Sequence, residues 1–357
     1  MKGVLLSGGT GSRLRPITHT GPKQLVPVAN KPVLEYAIED FKDAGITEIG
    51  VVLGHKGRDE IQALLGDGSK YGVDITYIVQ GNPLGLAHAA GCAREFVGTD
   101  DFVMYLGDNI LKSGVADLVN SFESGEYGAG IALQEVDNPA AFGIADVDEH
   151  GTVTELIEKP DEPPTNLALI GMYVFSPAVF DAIDDLEPSW RGELEITDAI
   201  QHLLQDGYEI DSHVVTGWWK DTGKPEDILE ANRLVLEDKQ LTAAGIIESG
   251  AETDGRIELA QSSVIEDGAV VRGPVSIAEN TTIKSGTYVG PYTSIGADST
   301  LDGVHIENSV VIGESTITAS GRIVDSLLGR GADIESADNL LPEGRRLVVG
   351  ENSQLKL

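Results

Sequence analysis

An α/β domain with a mostly parallel, mixed sheet, followed by a left-handed parallel β-helix, is the architecture this sequence predicts. Two observations carry it. Residues 1 to about 235 alternate short apolar strands with amphipathic helical segments. From about 246 the pattern changes, and aliphatic residues recur at every sixth position.

In the first region "KGVLLSG" reads as a strand and "VLEYAIEDFKDAG" as a helix ending at Gly45. "EIGVVLG" is a strand, "RDEIQALLG" a helix, "DITYIVQ" a strand and "LGLAHAAGCAREFV" a helix. "DFVMYLGDN" is a strand that runs into polar residues. Ligands of such folds bind at the carboxyl ends of the strands, where both "SGGTGSR" and "GDN" fall. In the second region Ile265, Val271, Ile277, Ile283, Val289, Ile295 and Leu301 keep the six-residue phase. Four positions after the first six of these stand Ala269, Val275, Thr281, Thr287, Thr293 and Ser299, all small. Three such hexads make one triangular coil, with the aliphatic pointing inward and the small residue at the corner. At His305 the phase slips. Ile306, Ile317 and Leu328, and likewise Ile312, Ile323 and Ile334, then follow an 11-residue spacing, which predicts shortened coils. The domains are expected at 1–240 and 246–357, joined through "LEDKQLTAAG" at 236–245.

The chain has 357 residues and a formal net charge of -33. That excess of acid disfavours nucleic acid and anionic membranes as partners, and points to a host that works in concentrated salt. Cys92 is the sole cysteine, so no internal disulfide forms and a reducing cytoplasm is expected. No apolar run approaches a signal peptide or a membrane span.

Against this acidity one segment stands out. Residues 1–34 hold no Asp or Glu, where the average would place about five or six, yet they hold Lys2, Arg13, Arg15, Lys23 and Lys31. The glycines of "LLSGGTGSRLRP" do not form a Walker A loop, since no GK[ST] follows, and they lack the third glycine of a dinucleotide fingerprint. Alone they suit a tight strand-to-helix turn. With the cations beside them they suit a polyanion such as a nucleoside triphosphate. Backbone N–H groups at Gly8, Gly9 and Gly11 would line the phosphates, and Arg13 and Lys23 would neutralise them.

The stretch "LSGGTGSRLRPITHTGPKQLVPVANKPVLEY" closely resembles the signature of the sugar-phosphate nucleotidylyltransferases, the glucose-1-phosphate thymidylyltransferases most of all. The resemblance extends through "GNPLGLAHA", "GDN", "EKP", "GMYVF", "RGELEITD" and "WKDTG" in that order, and the added β-helix resembles that of the long members. It implies a Rossmann-like nucleotidyltransferase domain. It also implies transfer from dTTP or UTP to glucose 1-phosphate, with Mg2+ held by Asp108 and Asp221. Asp108 alone would also suit a turn cap and Asp221 a turn residue.

By the same resemblance Arg13 would stabilise the leaving pyrophosphate and the transition-state charge, and Lys23 would hold the triphosphate or the attacking phosphate. Lys159, with Arg191 nearby, would pair with the sugar phosphate. Gln80 and Gly85 would face the base, with Gly8 and Gly9 allowing close backbone contact and Gln24 beside the nucleoside. Glu158 and the backbone at Gly143 would meet the sugar hydroxyls, while Tyr173 and Trp219 suit either the sugar's apolar wall or the core. His88 stands where the short bacterial members usually have Gln, and Gln24 in "PKQL" argues against the guanylyltransferase relatives.

The β-helix is expected to assemble copies, as a trimer, by covering its flat faces and sheet edge. Two alternatives are a bifunctional enzyme with an acetyltransferase site in the coil and a non-catalytic nucleotide-sugar sensor. The first needs a catalytic His, and His305, the sole histidine after 213, reads as a turn or loop residue. The second conflicts with the presence of Arg13, Lys23, Asp108, Lys159 and Asp221 together.

Overall fold

A computed structural model of the chain describes residues 1–9, 11–148 and 151–336. The last part of the expected β-helix domain, 337–357, lies outside the described residues. The chain packs as two units, Met1–Thr10 with Val33–Asp221, and Gly11–Pro32 with Thr222–Leu357. These bounds differ from the change of sequence pattern near 240. The acid-free segment is cut within its glycine-rich stretch, and most of it packs with the β-helix.

The first unit is built on a sheet in the order Val153–Glu158, Gly143–Val147, Leu167–Phe175, Phe102–Leu106, Lys2–Ser7, Glu48–Leu53, Asp74–Val79. Lys2–Ser7 lies parallel to both Glu48–Leu53 and Phe102–Leu106, and Asp74–Val79 continues the parallel half. Beyond Phe102–Leu106 the pairing turns antiparallel, beginning with Leu167–Phe175. Parallel neighbours need crossovers, and the helices Val33–Asp43, Arg58–Leu65 and Leu86–Gly91 supply them. The helix Val33–Asp43 buries Val33, Leu34, Ala37, Ile38 and Phe41, one face at helical spacing. It ends where Gly45 takes φ +78. The segment expected as one helix over 84–97 is two, Leu86–Gly91 and Arg94–Val97, divided by a turn at Cys92–Ala93 after Gly91. Val4, Phe102, Met104, Tyr173 and Phe175 share one buried core with the helix Ile196–Gln205.

The second unit contains a parallel β-helix with three ladders. Ile246, Val264, Thr282 and Thr300 mark one, Glu252, Val270 and Tyr288 the second, Ile257, Val275 and Thr293 the third. Partners up to Thr300 stand three hexads apart in sequence, as the six-residue period requires. Inside, Ile265, Val271, Ile277, Ile283, Val289, Ile295 and Leu301 are fully buried. The later coils are shorter: Thr300 pairs with Thr316, and Ile306 with Ile323. The register shifts between Asp302 and Val304, where Gly303 takes φ +70. The 11-residue spacing is therefore two faces of the coil beyond that shift, which is one residue short of three hexads, as Ile306 and Ile323 show. His305 is not in a turn. It lies within the strand Thr300–Glu307, exposed, with its ring edge-on to Tyr288 at 5.9 Å.

The helix Pro225–Asp238 runs into the expected connection, because Leu236 is buried and holds it in register. Ile283 stacks between Ile265 and Leu301 inside the coil. Ile283→Ala is expected to lower stability by about 2–5 kcal/mol through the lost contacts and the cavity. The urea midpoint of unfolding at constant molar KCl measures it.

Candidate functional site

In the first unit the predicted residues gather at the carboxyl ends of the sheet strands. Lys2–Ser7 runs into Gly8 and Gly9, the latter at φ +106. A Cβ at Gly8 would stand 3.2 Å from Gln80 Oε1, so glycine is what lets this backbone lie against the Gln80 amide. Gln80 is only 5% exposed, and Arg58 Nη2 donates to its carbonyl at 3.3 Å. Its Nε2 lies 3.1 Å from His88 Nδ1, within hydrogen-bond reach of the ring. Gly85, at φ +115, runs so close to the backbone of Leu194 that any side chain would collide. Leu194 N–H donates to Leu84 O at 2.7 Å and Ala87 N–H to Leu194 O at 3.0 Å, tying the 84–87 loop to the 189–195 loop.

Asp108 follows Phe102–Leu106, and Gly107 N–H donates to Leu6 O at 2.9 Å, fixing the turn against the first strand. The strand Asn109–Leu111 pairs antiparallel with Trp219–Asp221, and Asp221 stands opposite Asn109. That register sets Asp221 across from the residue that follows Asp108, although 113 residues separate the two aspartates in sequence. Trp219 Nε1 donates to Asn109 Oδ1 at 2.9 Å and its ring meets Phe142 edge-on at 5.7 Å. Among the described residues no group of three or more His, Cys, Asp or Glu could hold a metal. A cation here would take these two carboxylates and complete its shell with substrate and water oxygens, which is the habit of Mg2+.

The second cluster surrounds Glu158. Its Oε2 accepts from Thr197 Oγ1 at 2.7 Å, and its Oε1 pairs with Lys159 Nζ at 2.7 Å and with Arg191 Nη1 at 3.5 Å. Gly143 pairs with Glu158 across the hairpin, and a Cβ there would sit 2.5 Å from Thr197 Oγ1. Lys159 is held at φ +42, with its N–H donating to Phe142 O at 3.0 Å. Arg191 also reaches Glu193 at 3.0 Å and Glu195 at 3.2 Å. Glu195, 4% exposed, accepts from Ser189 Oγ at 2.9 Å. Burial pushes the Glu195 carboxyl above its usual range, and Glu158 and Glu193 add to this against Ser189 and Arg191. Tyr173 belongs to the core: it is 3% exposed and stacks on Phe175 at 5.7 Å. Burial first, and then the charge of Glu158, raises its phenol.

Gly11, Arg13, Lys23 and Gln24 belong to the second unit. Gly11 takes φ +59, and a Cβ there would lie 3.0 Å from Thr18 and 3.2 Å from Lys23. Thr18 Oγ1 donates to Gly11 O at 2.6 Å, so the loop closes on itself between its two cations. Arg13 is exposed in the turn Ser12–Leu14, Lys23 is half-buried and Gln24 is buried. Lys2 plays another part, since it pairs with Asp100 at 3.2 Å and donates to Phe96 O at 2.8 Å.

Thr197, Glu195 and Ser189 escaped the sequence reading. A threonine or serine that holds a carboxylate has no signature of its own, although all three lie in or beside the "RGELEITD" motif. His88 was visible only as a departure from a family pattern.

A sheet with carboxylates and cations at its strand ends, joined to a β-helix, defines a class, and the comparisons agree with it. The family model for nucleotidyl transferases matches residues 2–238. The low-salt glycan biosynthesis nucleotidyltransferase Agl11 of Haloferax volcanii is 84% identical over 357 residues, 100% of each chain. The glucose-1-phosphate thymidylyltransferase of Streptomyces antibioticus is 45% identical, over 100% of this chain and 99% of its own. A crystal structure from Bacillus anthracis, described as a candidate glucose-1-phosphate thymidylyltransferase, superposes with a TM-score of 0.62. It is 40% identical and covers 65% of this chain and 94% of its own. The chain belongs to the nucleotidyl transferase family.

Because the folded state raises the pKa of Glu195, it holds that proton where the unfolded chain has lost it. This group's contribution to stability is therefore greatest in acid and declines as pH rises through the raised value. Glu195→Gln should remove that decline. The unfolding free energy of the variant relative to the parent should climb as pH rises from the ordinary glutamate value, about 4, through the raised one, as urea titrations at a series of pH values would record.

Proposed function

We propose that the protein transfers a nucleotidyl group from dTTP or UTP to glucose 1-phosphate, forming the nucleotide sugar and pyrophosphate. The observation that carries the reading is the presence, in one unit, of Asp108 and Asp221 at one end of a short antiparallel ladder together with the Lys159 and Arg191 cations around Glu158. The family and the names of its full-length relatives support it.

The second pKa of a sugar phosphate lies near about 6, so the dianion is present at neutral pH and no general base is needed. One of its oxygens bonds to the α-phosphorus as the bond to the pyrophosphate oxygen breaks. The difficulty is to bring two polyanions together, so positioning and neutralisation do the catalysis. Lys159 and Arg191 hold the incoming phosphate. Glu158, kept in place by Thr197, takes the sugar hydroxyls beside the Gly143 backbone, with Trp219 as an apolar wall. Arg13 and Lys23 neutralise the triphosphate, and Gly8, Gly9, Gly11, Gln24, Gln80 and Gly85 serve the nucleoside and its phosphates. Asp108 and Asp221 fit Mg2+, which when bound supplies positive charge to the phosphate oxygens.

The net charge of -33 supports a halophilic protein, since self-repulsion at this level needs screening and the Debye length falls to about 3 Å at 1 M salt. No described helix is long and apolar enough to cross a membrane, and the single cysteine, half-buried Cys92, suits the cytoplasm. The β-helix is the surface through which copies join, as a trimer, and light scattering of the native protein measures that mass.

Pyrophosphate release with Mg2+ and glucose 1-phosphate in molar KCl should occur with dTTP or UTP and not with ATP, CTP or GTP. Release with none of the five would overturn the reading. Asp108→Asn and Asp221→Asn should each lower kcat by about 10²-fold or more, with the far-UV spectrum unchanged. Dialysis into low salt should cost both activity and the cooperative thermal transition. Retention of both at low ionic strength would remove the halophilic assignment.

A further inference from the structure

The segment that carries Arg13, Lys23 and Gln24 is anchored to the β-helix by a network of buried hydrogen bonds. After Gln24 the chain forms a hairpin of two short strands, Pro27–Val28 and Lys31–Pro32. Its turn places Ala29 at φ +48 and Asn30 at φ +62. Left-handed backbone suits Asn but costs Ala about 1 kcal/mol or more, so something must hold Ala29 there. Its N–H donates to Asn232 Oδ1 at 2.9 Å.

Asn232 lies on the helix Pro225–Asp238 and has no exposed surface. The same Oδ1 accepts from Ser294 Oγ at 2.7 Å, and its Nδ2 donates to Tyr292 O at 2.9 Å. One side-chain amide thus joins the hairpin turn to a β-helix coil. Asn30 makes a second attachment, with Nδ2 donating to Ser276 O at 3.1 Å, Ser276 Oγ at 2.9 Å and Ile295 O at 3.1 Å. Ser276 Oγ in turn donates to Glu258 Oε2 at 2.5 Å, which Lys239 Nζ reaches at 2.8 Å.

The register explains the place. Glu258, Ser276 and Ser294 are consecutive rungs of one ladder, at the positions between the inward-pointing aliphatics. Such positions face away from the coil's interior, yet Ser276 and Ser294 are buried, because the hairpin and the helix lie over them. Small hydroxyls here let the backbone of 29–30 approach and offer donors and acceptors at the same time. At the other end of the segment Ile17 packs by Gly329, where a Cβ would lie 3.4 Å from its Cδ1.

We propose that the β-helix is the positioning scaffold of the triphosphate-binding segment, with Asn232 and Asn30 as its positioning residues. The inference rests on reading Arg13, Lys23 and Gln24 as nucleotide ligands. It assigns the second domain a part in nucleotide binding and none in binding the sugar phosphate.

The test uses the full chain in molar KCl with Mg2+, dTTP and glucose 1-phosphate. Four variants are compared: Asn30→Gly, which keeps the left-handed turn and removes the side chain, Asn232→Ala, Asn232→Asp and Arg13→Ala. Asn30→Gly and Asn232→Ala should raise KM for dTTP by about five- to tenfold, the effect of one or two lost hydrogen bonds. KM for glucose 1-phosphate should stay within about twofold. Asn232→Asp keeps the acceptor for Ala29 and Ser294 and should recover part of the loss. If Asn232→Ala does not fold, Asn30→Gly carries the comparison. An unchanged KM for dTTP in Asn30→Gly, while Arg13→Ala raises it, overturns the scaffold proposal alone. So does a parallel change in both KM values. An unchanged KM for dTTP in Arg13→Ala overturns the nucleotide reading, and the scaffold proposal with it.

Discussion

In a chain with a net charge of -33, the cations that cluster at one place are held there by pairing each with named carboxylates and neutral donors. The Glu158 cluster shows how this is done. Glu158 takes Lys159 on one oxygen and Thr197 on the other, so its charge is directed by a neutral donor as well as by a cation. Arg191 is shared among Glu158, Glu193 and Glu195, and the last of these is buried and tied to Ser189. The carboxylates that could quench the site are used as its frame. Lys159 accepts a left-handed backbone in the same arrangement, held by its bond to Phe142 O.

The two carboxylates of the proposed metal site obey a different constraint. Backbone pairing sets Asp221 across from Asn109, the residue next to Asp108. The short ladder between Asn109–Leu111 and Trp219–Asp221 does this, and the Trp219 indole donating to Asn109 closes it. The same economy holds at the turn after the first strand, where Gly8 has no side chain and leaves room for the Gln80 amide.

The acid-free segment answers the charge problem by packing. Arg13 and Lys23 are flanked by turns that close on Gly11 and Thr18, and the hairpin that follows is bonded to Asn232, Ser276 and Ile295. It rests on a β-helix with parallel ladders and a filled interior. A coil of this kind has an outward ladder on each face, and here one ladder of small polar residues is covered.

The amino-acid sequence by itself determined the two fold types, because both rest on periodicity. Six-residue recurrence from Ile265 to Leu301 can only be satisfied by equal coils, and the alternation of strands and amphipathic helices before it dictates crossovers in a parallel half-sheet. The charge gap over 1–34 marked the cations, and the motifs marked Asp108, Glu158, Lys159, Arg191 and Asp221. Tertiary structure decided what depends on partners distant in the chain. It split the helix after Gly91, placed His305 in a strand beyond the shift at Gly303, and put Tyr173 in the core. It also joined 11–32 to the β-helix and bound Glu158 to Thr197. Periodicity is a property of consecutive residues and can be read along the chain. A hydrogen bond between Ala29 and Asn232 spans 203 positions and leaves no local trace.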